Sequence, residues 1–557
     1  MARRTGGRIL IDNLIAHGAD LVFCVPGESF LGAIEAFREV EDRVRLLVCR
    51  QEGGAANMAE AYGKLTGRPG ISFVTRGPGV ANASIGLHTA RQDSTPMLLL
   101  VGQVGRDMAG REAFQEIDFR RMLGELTKWV DQVEDPGRIP EYVSRAHAIA
   151  MSGRRGPVAL VFPEDVLTEL AEIEDVSPQP IAEPAPSGAQ MAALRHLLQA
   201  AERPLAIVGG SGWSEPARAD LVAFAAAFRL PVAAAFRCQD RMDNTHPLYV
   251  GELGTTVSPQ LSKRVREADL LIAIGDRLGE MTTSGYTLVR APVPTQKLVH
   301  VHPGAEELGR VFAATLAINS GVGPFLAAAA SLKPAVEPRW QGWTNEARRD
   351  FEAQLAVRDF PGSIDFGAIM AIVRERLGPD AVVACGAGNY TGWCMRHYLY
   401  RGYPTQLGPM SGAMGYGFPA AIAAKAVHPE RDVVCFAGDG CFLMTGQELA
   451  TAVHYRLNVV TLILDNGMYG TIRMHQERSY PGRAYATELT NPDFAAYARA
   501  FGAHGETVRT TEDFAPAFER ALSAGRPALV HVLMDPQIIS TRTTLSELRE
   551  TALSSAR

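Results

Sequence analysis

The chain has 557 residues, 46% hydrophobic and 21% charged, the make-up of a soluble globular protein with material for about three or four ordinary cores. Its net charge of −6 and pI near 6.2 speak against nucleic acid or an anionic membrane as partner. No stretch approaches the ~18 uncharged apolar residues of a membrane span, and the seven scattered cysteines fit a reducing cytosol better than a disulfide framework or zinc cluster. Asp12 and His17 interrupt the opening segment, so no signal peptide is expected and the protein reads as cytoplasmic.

Residues 1–170 repeat a strand–turn–helix rhythm, with strands expected at Leu21–Val25, Arg45–Cys49, Ile71–Thr75, Met97–Val101 and Val158–Phe162. That rhythm predicts an α/β domain with a largely parallel sheet. Glu52 follows the second strand and opens the helical text GGAANMAEAYGKL; taken alone it reads as a helix-start charge favoured by the macrodipole. The proline-rich, acidic stretch 171–190 is a linker. A second α/β pattern fills 191–335, with strands at Pro204–Val208, Pro231–Ala235, Leu270–Ile274 and Leu298–Val301. Its Val208-Gly209-Gly210-Ser211-Gly212 lacks the full dinucleotide fingerprint and reads as a plain turn. His300 and His302 alternate on one strand face without a third metal ligand. Residues 333–365 form a second linker, with a charged helical patch at Glu346–Glu352.

The third domain, 360–540, sets a glycine turn, Gly386-Ala387-Gly388-Asn389-Tyr390, after the strand Ala381–Ala384. Farther on, the β-branched runs Val433–Ala437 and Val459–Leu464 flank Leu449, Ala452, Val453 and Leu457 at helical spacing. Thr445 and Glu448 are expected to close the start of that helix as a capping box. A right-handed βαβ unit of this kind puts Asp439, in Gly438-Asp439-Gly440, and Asn466, in Asp465-Asn466-Gly467, at the carboxyl ends of parallel strands. One carboxylate and one amide suit magnesium, which prefers few protein oxygens plus phosphate oxygens. The glycines let a diphosphate approach the backbone.

The GDG triplet followed after 24 residues by DN resembles the thiamine diphosphate motif of acetohydroxyacid synthases and pyruvate decarboxylases, which usually ends in two asparagines. Asp465 departs from the first of these. Gln51–Tyr62 and Thr75–Asn82 resemble the pyrimidine-binding domain of the same enzymes, and Ser411–Pro419 their cofactor-bending loop. Gly102-Gln103-Val104, Ala113-Phe114-Gln115-Glu116 and Thr127-Lys128-Trp129 are similar to acetohydroxyacid (acetolactate) synthase in particular. The resemblance covers nearly the whole chain and implies three parallel-sheet α/β domains: pyrimidine-binding (1–170), central (191–335) and diphosphate-binding (360–540).

The resemblance further implies that Asp439, Asn466 and the Met468 carbonyl hold magnesium against the diphosphate, and that Glu52 drives cofactor activation through a pyrimidine ring nitrogen. Thr75, Asn82, Gly388, Asn389, Tyr390, Gly412, Gly438, Gly440, Cys441, Tyr469 and Gly470 would complete the cofactor site, with Met414 as the apolar wedge. Ser29, Phe114, Gln115 and Lys128 would line the substrate pocket. Because Glu52 and Asp439 belong to different domains, the resemblance implies active sites between subunits of a homodimer or tetramer. The family's flavin contacts fall on Thr255-Thr256-Val257, Asp276–Glu280 and His300-Val301-His302-Pro303 and are not kept, which speaks against FAD. Glu28 stands where the synthases carry glycine, and His475 where they carry a substrate-selecting tryptophan; both are candidate proton relays. The expected reaction is a carboligation starting from a pyruvate-like 2-oxo acid. The alternatives are a non-oxidative decarboxylase or hydroxyacyl lyase and a catalytically silent cofactor-binding homologue.

Overall fold

The computed structural model describes residues 3–555. The fold rests on three six-stranded sheets in which every neighbouring pair is parallel. Two compact units contain them: one of residues 3–182 with 422–428 and 445–455, the other of 183–421, 429–444 and 456–555.

In the first unit the sheet order is Arg45–Val48, Leu21–Cys24, Gly70–Val74, Met97–Gln103, Pro157–Pro163, Trp129–Gln132. Its inner strands are buried along their whole length, as continuous apolar runs require when helices cover both faces of a sheet. Ile9, Leu14, Phe30, Phe73 and Phe162 form part of the core, and Phe30 stacks on Phe73 with ring centres 4.2 Å apart. The edge strand Trp129–Gln132 is only half-buried. Its text, WVDQ, offers no apolar run, so the strand is not legible from pattern.

The second unit carries two sheets, each with its own core. The middle one is ordered Tyr249–Glu252, Val232–Ala234, Pro204–Val208, Leu270–Ile274, Lys297–His302, Leu316–Asn319. The other is ordered Gln406–Leu407, Val382–Cys385, Val433–Gly438, Val460–Asp465, Ala528–Leu533, His504–Val508. Ranked along the chain, the strands of the first and last sheets share the order 2-1-3-4-6-5, whereas the middle sheet runs 3-2-1-4-5-6. In the last sheet the order reverses between Val382–Cys385 and Val433–Gly438, the place where an open parallel sheet leaves a crevice at its carboxyl edge.

The crossover from Val433–Gly438 to Val460–Asp465 departs from expectation. Its helical segments are short, Asp439–Phe442 and Leu449–His454, the latter preceded by a 3-10 turn at Gly446–Glu448. Neither Thr445 nor Glu448 caps it through a side chain, so the capping box does not form. The Glu448 carboxylate instead accepts the backbone N–H groups of Arg50 and Gln51, at 3.0 and 2.9 Å, and the Thr451 hydroxyl at 2.6 Å. Three donors held in place together outweigh the single backbone N–H of the local cap.

The helix Gly470–Ser479 begins beside the crevice and is pinned by the C-terminal helix Leu545–Ser555. Glu477, fully buried, accepts from Nε and Nη2 of Arg549 at 2.9 and 2.7 Å, from Arg473 at 2.9 Å and from the Gly482 N–H at 2.9 Å. The Arg549 bonds hold its carboxyl down at about 2, with burial opposing and the Gly482 bond assisting. A folded-state value below the usual glutamate range, about 4.3, makes this clamp stabilising above that range and lost as pH falls towards 2. Glu477→Gln is expected to cost about 1.5–3 kcal/mol at pH 7, as for hydrogen bonds to a charged group, and to flatten the acid limb of a denaturant-measured stability profile. An unchanged acid limb in the variant would show that the C-terminal helix is held by other contacts.

Candidate active site

At the switch point of the last sheet lies a cavity of about 260 Å³. One wall is the turn after Val382–Cys385, with Gly388, Asn389 and Tyr390; the opposite wall is Gly438, Asp439, Gly440 and Cys441. Asn466, Met468, Tyr469 and Gly470, after Val460–Asp465, close a third side, and Gly412 and Met414 reach in from a separate loop. The remaining lining is mostly apolar, including Trp393, Ile472 and Ile538. A few polar groups at one end of an apolar hollow is the usual constitution of a small-molecule site.

At several positions around the cavity the backbone has no room for a side chain. A Cβ at Gly440 would sit 2.8 Å from the Tyr469 ring, and one at Gly386 would sit 2.4 Å from the Cys441 sulfur. The Cys441 sulfur itself accepts the Gly415 N–H at 3.2 Å and the Tyr390 hydroxyl at 3.5 Å. Asn389 is fixed by Thr471 on both sides of its backbone and amide, at 3.1 and 3.0 Å. The Met468 carbonyl accepts the Gly470 N–H at 2.9 Å, which leaves one lone pair of that oxygen.

Asp439 is buried, and burial pushes its carboxyl above the usual range, with the adjacent Asp465 adding to the rise. Burial also works against an ionised Asp465, but hydrogen bonds from His531, Gly467 and Asn491 outweigh it and hold that carboxyl below its usual range. Asn491 and His531 have no sequence signal: they come from segments 26 and 66 residues beyond Asp465. Only the sheet and its loops bring them together.

The first unit holds the second group of candidate residues. Glu52 is the first residue of the helix Glu52–Thr66, whose N-cap, Gln51, accepts the Gly54 N–H at 3.0 Å. The Asn82 amide donates to Glu52 Oε2 at 2.8 Å, fixing one face of the carboxylate. Glu448 grips the two residues ahead of Glu52, and a Cβ on Gly54 would meet its carboxylate at 2.6 Å. The Ser29 and Thr75 hydroxyls meet at 2.9 Å, where this sheet's order also reverses. Gln115 has φ +66°, a left-handed conformation costly for a residue with a Cβ. Its carbonyl accepts the Gly77 N–H at 3.1 Å.

Other candidates stand more openly. Glu28, with its side chain 66% exposed, pairs with Arg76 at 3.2 Å. Phe114 is 73% exposed. Lys128 donates to the carbonyls of Ile149 and Ser152 at 2.5 and 2.7 Å, at the end of the helix Ile139–Met151, where a cation is favoured. His475 is exposed and does not line the cavity.

In the middle sheet, the Gly209-Gly210 turn is packed by the chain itself. A Cβ on Gly210 would lie 1.9 Å from the Gly275 carbonyl, and one on Gly209 2.6 Å from Ala235. Trp213 donates to the Gly209 carbonyl at 2.8 Å and Arg241 to that of Gly210 at 3.2 Å. His300 and His302 are both buried; His300 meets the Asp276 carbonyl at 2.9 Å and His302 the backbone of Gly304.

Three family models match the chain: the N-terminal TPP binding domain of thiamine pyrophosphate enzymes at residues 4–122, their central domain at 191–329 and their C-terminal TPP binding domain at 386–532. The chain is 34% identical to the acetolactate synthase large subunit of Parasynechococcus marenigrum, over 95% of this chain and 87% of that protein. It is 30% identical to the acetolactate synthase isozyme 2 large subunit of Escherichia coli, over 95% of both chains. The large subunit from Corynebacterium glutamicum is likewise 30% identical, over 96% of this chain and 87% of the relative. Among the described residues no helix is long and apolar enough to cross a membrane.

Proposed function

This chain belongs to the thiamine pyrophosphate enzymes of the acetolactate synthase type, and from that premise we propose how its own residues hold the cofactor and which reaction they serve. The carrying observation is the switch-point cavity, where a buried carboxylate, an amide and a backbone carbonyl meet glycine-rich turns, whose bare backbone would let a diphosphate approach closely. Asp439, Asn466 and the Met468 carbonyl form a set of hard oxygen donors suited to magnesium, and a dication there would bridge to a diphosphate. Gly388, Asn389, Gly438, Gly440 and the N-terminal end of the helix Gly470–Ser479 would receive the phosphate oxygens. Met414 and the Gly412 carbonyl, on the loop lining the same cavity, would set the bend of the cofactor. Thiamine diphosphate, when bound, supplies a carbon nucleophile and an electron sink for decarboxylation.

The Glu52 carboxyl, oriented by Asn82, would exchange a proton with a ring nitrogen of the pyrimidine. By the resemblance to the family, the active site would be completed by a second copy of the chain in a homodimer or a dimer of dimers. Ser29, Phe114 and Gln115 would face the substrate from the Glu52 side. The middle domain would serve as scaffold: its glycine turn packs closely against Gly275 and Ala235 and lacks the full dinucleotide fingerprint.

The reaction supported best joins the acyl unit left by decarboxylation of a pyruvate-like 2-oxo acid to a second carbonyl. A non-oxidative decarboxylase or lyase is the second reading, favoured by Glu28, whose carboxylate pairs with Arg76, these two residues being chain neighbours of the bonded Ser29 and Thr75, and could protonate the bound acyl unit. The protein supplied with thiamine diphosphate, magnesium and pyruvate, with and without a second 2-oxo acid or an aldehyde, is expected to release carbon dioxide with a joined product. Free aldehyde as the sole product under both conditions would replace the first reading by the second.

A further inference from the structure

The cavity's carboxylate does not stand alone. The strands Val433–Gly438 and Val460–Asp465 pair with Gly438 opposite Leu464, so Asp439 and Asp465 leave the sheet side by side. Two adjacent carboxylates repel, the more so when partly buried. Asn491, on the segment before the helix Phe494–Ala500, lies between them: its Nδ2 donates to Asp439 Oδ2 at 2.7 Å and to Asp465 Oδ1 at 2.8 Å. The direction of the amide follows from chemistry, because its oxygen turned to this pair would face acceptors alone. That oxygen is in fact buried with no hydrogen-bond partner among the described residues, a loss of about 1–3 kcal/mol that the two charged acceptors must exceed.

Asp465 is anchored in turn. On the neighbouring strand Ala528–Leu533, His531 pairs in register with Ile463, two residues before Asp465 and on the same face, so its ring reaches diagonally to Asp465 Oδ2 at 2.8 Å. The ring is buried and stands edge-on to Phe494, with centres 5.1 Å apart. The Gly467 N–H takes Asp465 Oδ1 at 2.9 Å. A chain of contacts thus runs from His531 through Asp465 and Asn491 to Asp439.

We propose that Asn491 is a positioning residue for the metal-holding carboxylate of Asp439, and that the Asp465–His531 pair is its anchor. The inference rests on the reading of Asp439 as a magnesium ligand. Asn491 fixes Oδ2 and thereby the rotation of the carboxylate, which decides where Oδ1 points; a neutral bridge does this without bringing a cation that would compete with the metal. Groups bonded to a ligand's second atom commonly govern metal affinity by about 10–100-fold.

The test is magnesium affinity at a fixed thiamine diphosphate concentration, read by calorimetry, with circular dichroism as a check on folding. Asn491→Ala is expected to weaken magnesium binding about 10–100-fold, with a smaller change in kcat at saturating metal. Asn491→Ser, which keeps one donor, should fall between the two and serves if the alanine variant does not fold. In an Asp465→Asn background the new amide can itself donate to Asp439, so adding Asn491→Ala should cost under about 3-fold, a non-additivity that a merely structural asparagine would not produce. Wild-type magnesium affinity in folded Asn491→Ala, or simple additivity with Asp465→Asn, overturns the proposal. Asp439→Ala run alongside separates the two failures: loss of magnesium there with none in the Asn491 variants defeats the positioning role only, whereas intact binding in Asp439→Ala defeats the ligand reading itself.

Discussion

Asp439→Ala is expected to leave a folded protein that no longer retains thiamine diphosphate in the presence of magnesium. The residue follows a strand whose burial is complete and opens the short helix Asp439–Phe442, and its side chain joins no apolar core, so the substitution removes charge rather than packing. With an apolar group in its place, a diphosphate in a partly desolvated cavity would face the protein without its bridging cation. Breaking a buried charge pairing of this sort typically costs about 3–5 kcal/mol, or roughly two to four decades in affinity. Calorimetric titration of the cofactor at constant magnesium reads the effect directly. Cofactor affinity equal to wild type in the variant would sink the metal assignment.

Glu52→Gln is expected to bind the cofactor normally and lose turnover. Glutamine keeps the shape at the start of the helix Glu52–Thr66 and can still meet Asn82 after an amide rotation, so the local fold around Gln51 and Gly54 should survive. What it cannot do is exchange a proton, and loss of such an acid–base group typically lowers the rate by about 10²–10⁴-fold. Exchange of the proton on the reactive thiazolium carbon, followed by NMR, should slow by a comparable factor. If exchange proceeds at the wild-type rate, Glu52 is not the activating carboxyl, and its pairing with Asn82 is a helix-start contact only.

Much of this architecture was legible in the amino-acid order because the physics behind it is local. Continuous β-branched runs such as Val433–Gly438 and Leu270–Ile274, closed by glycine turns, read as strands buried on both faces. The spacing of Asp439 and Asn466 across one βαβ unit was enough to bring both to a single cavity, since parallel strands must end on the same edge. Most strands at sheet edges escaped, Arg45–Val48 being an exception, and so did the inner strand Ala528–Leu533: Trp129–Gln132, His504–Val508 and Leu316–Asn319 keep polar or half-exposed residues, and their identity as strands comes from a neighbour's hydrogen bonds, which pattern does not encode.

The order of residues also misled where a local partner competed with a distant one. Thr445 and Glu448 have the spacing of a capping box, yet Glu448 turns to the N–H groups of Arg50 and Gln51, almost 400 positions earlier, because a buried carboxylate gains more from several donors held in place than from one at a fraying helix end. The same reason governs the cavity. Sequence by itself determined that a carboxylate and an amide would stand at the strand ends. Tertiary structure alone decided that Asp439 would share Asn491 with Asp465, that His531 would stand behind Asp465, and that Glu28 and His475 would lie exposed. Burial and charge are properties of what surrounds a side chain, and those surroundings are assembled from segments that the chain keeps far apart.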